Sequence, residues 1–132
     1  MLKVLIIDDD DIVLLVEGKM LQRCSISANP IAFKGGKAAL EYLAEVNDDE
    51  DDILILLDIN MPQMNGWEFL NQLEELDKKN KIFVIMVTSS IDRYDKEVAQ
   101  KFKKVIGFVE KPITVDNCQK IKTLEKISEY FD

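Results

Sequence analysis

Histidine is absent from the 132 residues. Its absence removes Ser-His-Asp and Cys-His catalysis, imidazole-bound zinc, and any phosphohistidine carried by this chain itself. The two cysteines, Cys24 and Cys118, form no CxxC pair. Such usage suits a reducing cytosol, and a disulfide between them is not expected. Apolar runs reach only about five residues, far short of a membrane-spanning helix, and no secretory signal opens the chain. Basic residues are outnumbered, 17 Lys and Arg against 25 Asp and Glu, for a formal net charge of −8. An acidic chain without a basic stripe fits a phosphate backbone poorly, so neither nucleic acid nor a membrane is an expected direct partner. Five glycines and three prolines supply turns but no linker, and the chain reads as one domain over residues 1–132.

The negative charge is unevenly placed. Residues 1–66 hold 13 acidic against 5 basic residues, while residues 67–132 balance at 12 and 12. Beneath this lies a regular alternation. Short runs rich in Val and Ile recur at Leu2–Ile7, Ile26–Phe33 (the weakest), Ile53–Leu57, Ile82–Val87 and Val105–Val109. Continuous apolar runs of this length predict strands buried on both faces. Helical patterns fill the gaps, at about 11–23, 36–46, 66–79, 93–103 and 115–130. Gly35-Gly36 and Asn65-Gly66 mark helix entries, and Thr114 or Asp116 suits the start of the last helix. Five strand–helix alternations predict an α/β fold, a doubly wound parallel sheet with right-handed crossovers.

Ligands of such sheets sit beyond the carboxyl ends of the strands. The residues there are Asp8-Asp9-Asp10-Asp11, then Asp58, then Thr88-Ser89-Ser90, then Glu110-Lys111-Pro112. Clustered carboxylates stay ionised together only by sharing a cation. Oxygen ligands without Cys or His select magnesium, with manganese tolerated. Lys111 and Thr88 suit phosphoryl oxygens, and Asp58, alone at its strand end, is the natural nucleophile for an aspartyl phosphate. The acidic pair is either Asp8/Asp9 or Asp9/Asp10; the apolar run ending at Ile7 favours the first.

Four blocks carry a resemblance: Val4-Leu5-Ile6-Ile7-Asp8-Asp9, Leu57-Asp58-Ile59-Asn60-Met61-Pro62 with Met64-Asn65-Gly66, Val84–Ser89, and Gly107-Phe108-Val109-Glu110-Lys111-Pro112. In this order, each after a predicted strand, they resemble the receiver domain of two-component response regulators, especially single-domain ones of the chemotaxis type. The resemblance implies a flavodoxin-like (βα)5 fold with strand order 2-1-3-4-5 and no output domain. It implies phosphorylation of Asp58 by a sensor histidine kinase or histidine phosphotransfer protein. Magnesium would be held by Asp8, Asp9, Asp58 and the Asn60 backbone carbonyl, with Asp8 acting largely through water. Lys111, Thr88 and the Ser89 backbone would bind the phosphoryl group, Thr88 and Phe108 would form the switch, and Lys111-Pro112 would be a cis peptide. A separate effector protein would read the face around the fourth helix, fifth strand and fifth helix, with Tyr94, Val98, Val105 and Phe108 as candidate members. Phe108 lacks the hydroxyl of the tyrosine the family often places there.

Other readings compete. An aspartyl-phosphate phosphohydrolase wants a second aspartate where Asn60 stands, and a flavin binder wants a hydroxyl- and glycine-rich first loop. A receiver fold that binds without phosphorylation is expected to lack some of the key residues. The acidic run Asp48–Asp52 reads as a solvated loop, Gly35-Gly36-Lys37 as a turn, Trp67 and Phe69 as packing, and Lys101, Lys103 and Lys104 as a solvated face. Ile12-Val13-Leu14-Leu15-Val16 exceeds what one buried stripe absorbs. At helical spacing Val13, Leu14, Met20 and Leu21 share an inward arc in which Glu17 sits awkwardly, leaving Ile12, Leu15 and Val16 as an exposed docking patch for a phosphohistidine-bearing partner.

Overall fold

Val- and Ile-rich runs become strands at every expected place, and a helix follows each. The computed structural model describes residues 1–46 and 51–131. In chain order the elements are β1 (Leu2–Ile7), α1 (Asp11–Arg23), β2 (Ile31–Phe33), α2 (Gly36–Glu45) and β3 (Asp52–Asp58). They continue with α3 (Gly66–Glu74), β4 (Ile82–Thr88), α4 (Arg93–Ala99), β5 (Val105–Glu110) and α5 (Val115–Lys122), then a 3-10 turn at Ser128–Phe131. All strand pairs are parallel and the order is β2-β1-β3-β4-β5, as expected. Strand order reverses between β1 and β3, which places a crevice beyond their carboxyl ends.

Period-two alternation divides the core into two layers. Val4, Ile6, Leu54, Leu56, Ile85 and Val87 meet Leu14 and Leu21 of α1 and Cys118 and Ile121 of α5. Leu5, Ile7, Ile55, Leu57, Val84 and Met86 meet Ala39 and Leu43 of α2 and Phe69, Leu70 and Leu73 of α3. Burial on both faces explains why these strands read as unbroken apolar runs. Trp67 stacks on Phe102 with ring centroids 6.1 Å apart, and both pack, partly buried, against the layer that buries Phe69. Cys24 and Cys118 are buried free thiols.

Element ends follow local hydrogen-bonding chemistry. Asn65 and Glu68 form a reciprocal capping box at α3, and Thr114 with Asn117 forms another at α5. Of the weak run Ile26–Phe33, only Ile31–Phe33 is strand; Ser25 turns the chain at φ 61° and Ile26 enters the core from a loop. Helices α3, α4 and α5 end before the expected 79, 103 and 130. The Thr123 hydroxyl donates to the Lys120 carbonyl at 2.8 Å as α5 stops, and the remaining apolar residues pack from a turn.

Part of the acidic run Asp48–Asp52 lies outside the described residues. Its described end departs from a solvated loop. Asp52 opens β3, where its carboxylate accepts from the Tyr130 hydroxyl and from the Lys81 backbone N–H at 2.9 Å. Lys104 also departs from a solvated face, being half-buried and 3.4 Å from Glu74.

Candidate functional site

The switch point gathers the acids. Asp8 follows β1 directly and is fixed there by its backbone N–H, which donates to the Phe33 carbonyl at 3.1 Å. Asp58 is the last residue of β3, and both carboxyl groups are buried. Asp9 projects at the surface beside them, and one oxygen from each of the three lies within 4.8 Å of the others. Asp10 does other work: it is the N-cap of α1, accepting from the N–H groups of Ile12 at 2.8 Å and Val13 at 3.4 Å. Asp11 pairs with Lys34 at 3.3 Å. The acidic pair facing Asp58 is therefore Asp8/Asp9.

Lys111 enters from the end of β5. Its backbone N–H donates to the Thr88 carbonyl at 2.8 Å, and its bond to Pro112 is cis. The ammonium reaches between two carboxylates, 2.7 Å from Asp8 Oδ2 and 3.3 Å from Asp58 Oδ1. Thr88 ends β4 buried, its hydroxyl donating to the Ser90 carbonyl at 3.2 Å. Ser89 and Asn60 lie exposed on the same rim, while Phe108 is half-buried in β5 against the α2–α3 layer.

Electrostatics single out Asp58. Burial pushes its carboxyl up to about 6, with the Asp8 charge adding, while Lys111 and the Asn60 N–H pull the other way. Burial lowers Lys111, but bonding and attraction to Asp8 and Asp58 outweigh it and hold the ammonium above its ordinary value. Three carboxylates cluster beside one ammonium that pairs with Asp8 and Asp58, and the buried Asp8 Oδ2 has no further hydrogen-bond donor among the described residues. An oxygen-only, carboxylate-rich donor set with unmatched negative charge fits a hard divalent cation such as Mg2+.

One residue of this neighbourhood escaped sequence reasoning. Glu17 occupies the inward face of α1 between Leu14 and Leu21 and is only 3% exposed. Burial and the nearby Asp8 push its carboxyl up to about 8, against the pull of Lys111. Its position inside the apolar arc was the available signal. The expected outward patch is present: Ile12, Leu15 and Val16 are 71%, 60% and 45% exposed.

A parallel sheet in this strand order with an acid-lined crevice at its switch point is a doubly wound α/β fold with its candidate site where such folds bind ligands. The chain belongs to the response regulator receiver domain family, whose model matches residues 4–122. A two-component response regulator from Cytophaga hutchinsonii is 29% identical, with a TM-score of 0.84 and 98% of each chain covered. A probable cyclic di-GMP phosphodiesterase of Vibrio cholerae is 34% identical over 85% of this chain, which spans only 24% of that relative's length. A probable methanogenesis regulatory protein of Methanothrix harundinacea is 25% identical, over 97% of this chain and 82% of its own. Receiver domains are signalling modules of two-component systems that bind Mg2+ in an acidic pocket. Among the described residues no helix is long and apolar enough to cross a membrane.

Proposed function

We propose that this chain is a stand-alone phospho-switch: a single receiver domain over residues 1–132 that takes a phosphoryl group on Asp58 from the phosphohistidine of a sensor kinase or phosphotransfer protein in the cytoplasm. Asp58 attacks phosphorus, the phosphorus–nitrogen bond breaks, and its electron pair returns to the partner's imidazole. Asp8, Asp9, Asp58 and the Asn60 carbonyl hold Mg2+, with Mn2+ accepted. When bound, Mg2+ would supply positive charge against the phosphoryl oxygens that Asp58 receives. Lys111, the Thr88 hydroxyl and the Ser89 N–H receive the phosphoryl oxygens. The observation that carries this reading is Lys111 Nζ, 2.7 Å from Asp8 and 3.3 Å from Asp58, beside a three-carboxylate cluster.

Binding there gives the switch its drive. Thr88 exchanges its bond to the Ser90 carbonyl for a phosphoryl oxygen, and Phe108 turns into the space released. The α4–β5–α5 face, with Tyr94 exposed and Val98, Val105 and Phe108 half-buried, then signals to a separate effector or relays phosphate onward. Ile12, Leu15 and Val16 dock the helices that carry the donor histidine. Intact mass after acetyl phosphate treatment tests the core of the proposal. A phosphoryl adduct is expected with Mg2+, none with chelator, and none in Asp58→Asn. No adduct in the unmodified chain under any condition refutes it and leaves a binding module that acts without phosphorylation.

A further inference from the structure

The edge of the sheet opposite Asp58 carries a different chemistry. A hollow of about 310 Å³ lies at the N-terminal ends of β4 and β5. Lys78 and Lys81 reach it ahead of β4, Lys103 and Lys104 ahead of β5, and Lys126 from beyond α5. Ile82, Phe83 and Ile106 add an apolar wall, and no carboxylate lines it among the described residues. Lys104 is held on the rim by Glu74 at 3.4 Å, and Lys78 Nζ donates to the Val46 carbonyl at 2.8 Å. Lys81, Lys103 and Lys126 make no side-chain ion pair among the described residues.

Five lysines from three segments line the hollow in a chain whose net charge is −8; Lys104 is paired with Glu74, and Lys81, Lys103 and Lys126 carry charge that no side-chain ion pair matches among the described residues. Like charges so placed repel, and an anion among them relieves that repulsion. Each ammonium is a compact charge with three donors, suited to phosphate oxygens. A nucleic acid wants an elongated stripe of cations, whereas these lysines ring a hollow. Its volume sits at the low end of small-ligand pockets, roughly 300–1,000 Å³. We infer that this hollow binds a small ligand carrying two or more phosphates, and that a nucleoside polyphosphate uses both the lysines and the apolar wall.

Calorimetry on the full chain, in chelator so that the acidic rim takes no metal, tests this with ATP, pyrophosphate and adenosine. Saturable ATP binding is expected, stronger than that of pyrophosphate, with adenosine inert and affinity falling as salt rises. Amide shifts should fall on residues 78–83 and 103–106. Losing a charge-assisted contact costs about tenfold in affinity, so Lys103→Gln with Lys126→Gln should weaken binding roughly a hundredfold. Both sites are exposed, and circular dichroism confirms folding. No saturable binding up to about 1 mM ATP, weaker than −4.1 kcal/mol, overturns the site. So does ATP affinity that survives the double substitution, or shifts confined to Asp8–Asp11. Pyrophosphate matching ATP overturns the nucleoside half of the inference.

Discussion

Replacing Glu17 by Gln should stabilise the protein, and do so more as pH rises. The folded carboxyl keeps its proton up to about pH 8, whereas the unfolded chain releases it near 4.5. Across that window the folded state binds more protons, so stability falls with pH. The contribution is complete below pH 4.5 and gone once pH passes the folded value near 8. Asp58 acts in the same sense, but its window runs only from 3.8 to about 6. Between pH 6 and pH 8 the slope therefore belongs to Glu17, and the loss is about 2 kcal/mol. For a domain of this size that is a fall in Tm of roughly 7 °C. Gln keeps the shape and carries no charge, so E17Q should lack the slope. Urea unfolding followed by circular dichroism in chelator, at half-unit steps of pH, measures both curves. Parallel falls in wild type and E17Q would show that Glu17 does not hold its proton in the folded state.

Ser at both Leu15 and Val16 should slow phosphotransfer from a phosphohistidine-bearing protein about tenfold while acetyl phosphate labels Asp58 at the unmodified rate, since both side chains face solvent; equal losses in the two assays would place them in the fold instead. Gly66→Ala should destabilise by about 1–3 kcal/mol and impair labelling, because its Cβ would lie 2.9 Å from the Asp58 carbonyl oxygen and 3.1 Å from Ile59 Cα, both backbone. A denaturation midpoint matching wild type would sink that argument. Magnesium at tenfold its Kd should stabilise by about 1.4 kcal/mol, or roughly 5 °C in Tm, and Asp9→Asn should cut that gain. An unchanged magnesium response in the variant would remove Asp9 from the metal site.

The architecture was legible because burial on both faces writes a strand as an uninterrupted apolar run, and five such runs at regular spacing admit few topologies. Asp58, Thr88 and Lys111 were legible for a related reason: a parallel sheet sends every strand end to one rim, so position after a run is position in space. Helix ends were not. The tails of α3 and α5 keep helical composition, and their termination depends on turn hydrogen bonds such as Thr123 to Lys120 that composition does not encode. The choice between Asp8/Asp9 and Asp9/Asp10 needed the N-cap geometry of Asp10. Glu17 was visible only as a flaw in an apolar arc, since its neighbours Asp8, Lys111 and Asp58 come from three other segments.

In the fold, part of the charge asymmetry falls at opposite ends of the strands. The segments after β1 and β3 carry acids, and the segments before β4 and β5 carry lysines. A strand the length of β4, seven residues, separates them by roughly 20 Å. At physiological ionic strength the Debye length is about 8 Å, so the basal lysines do little to offset repulsion among Asp8, Asp9 and Asp58. That work falls to Lys111 and to a divalent cation at the rim. Without the cation, burial first and the Asp8 charge second hold protons on Asp58, raised to about 6, and on Glu17, raised to about 8. A metal ion arriving at Asp9 and Asp58 therefore displaces protons as it binds, and its affinity should rise with pH across the same window in which the metal-free protein loses stability.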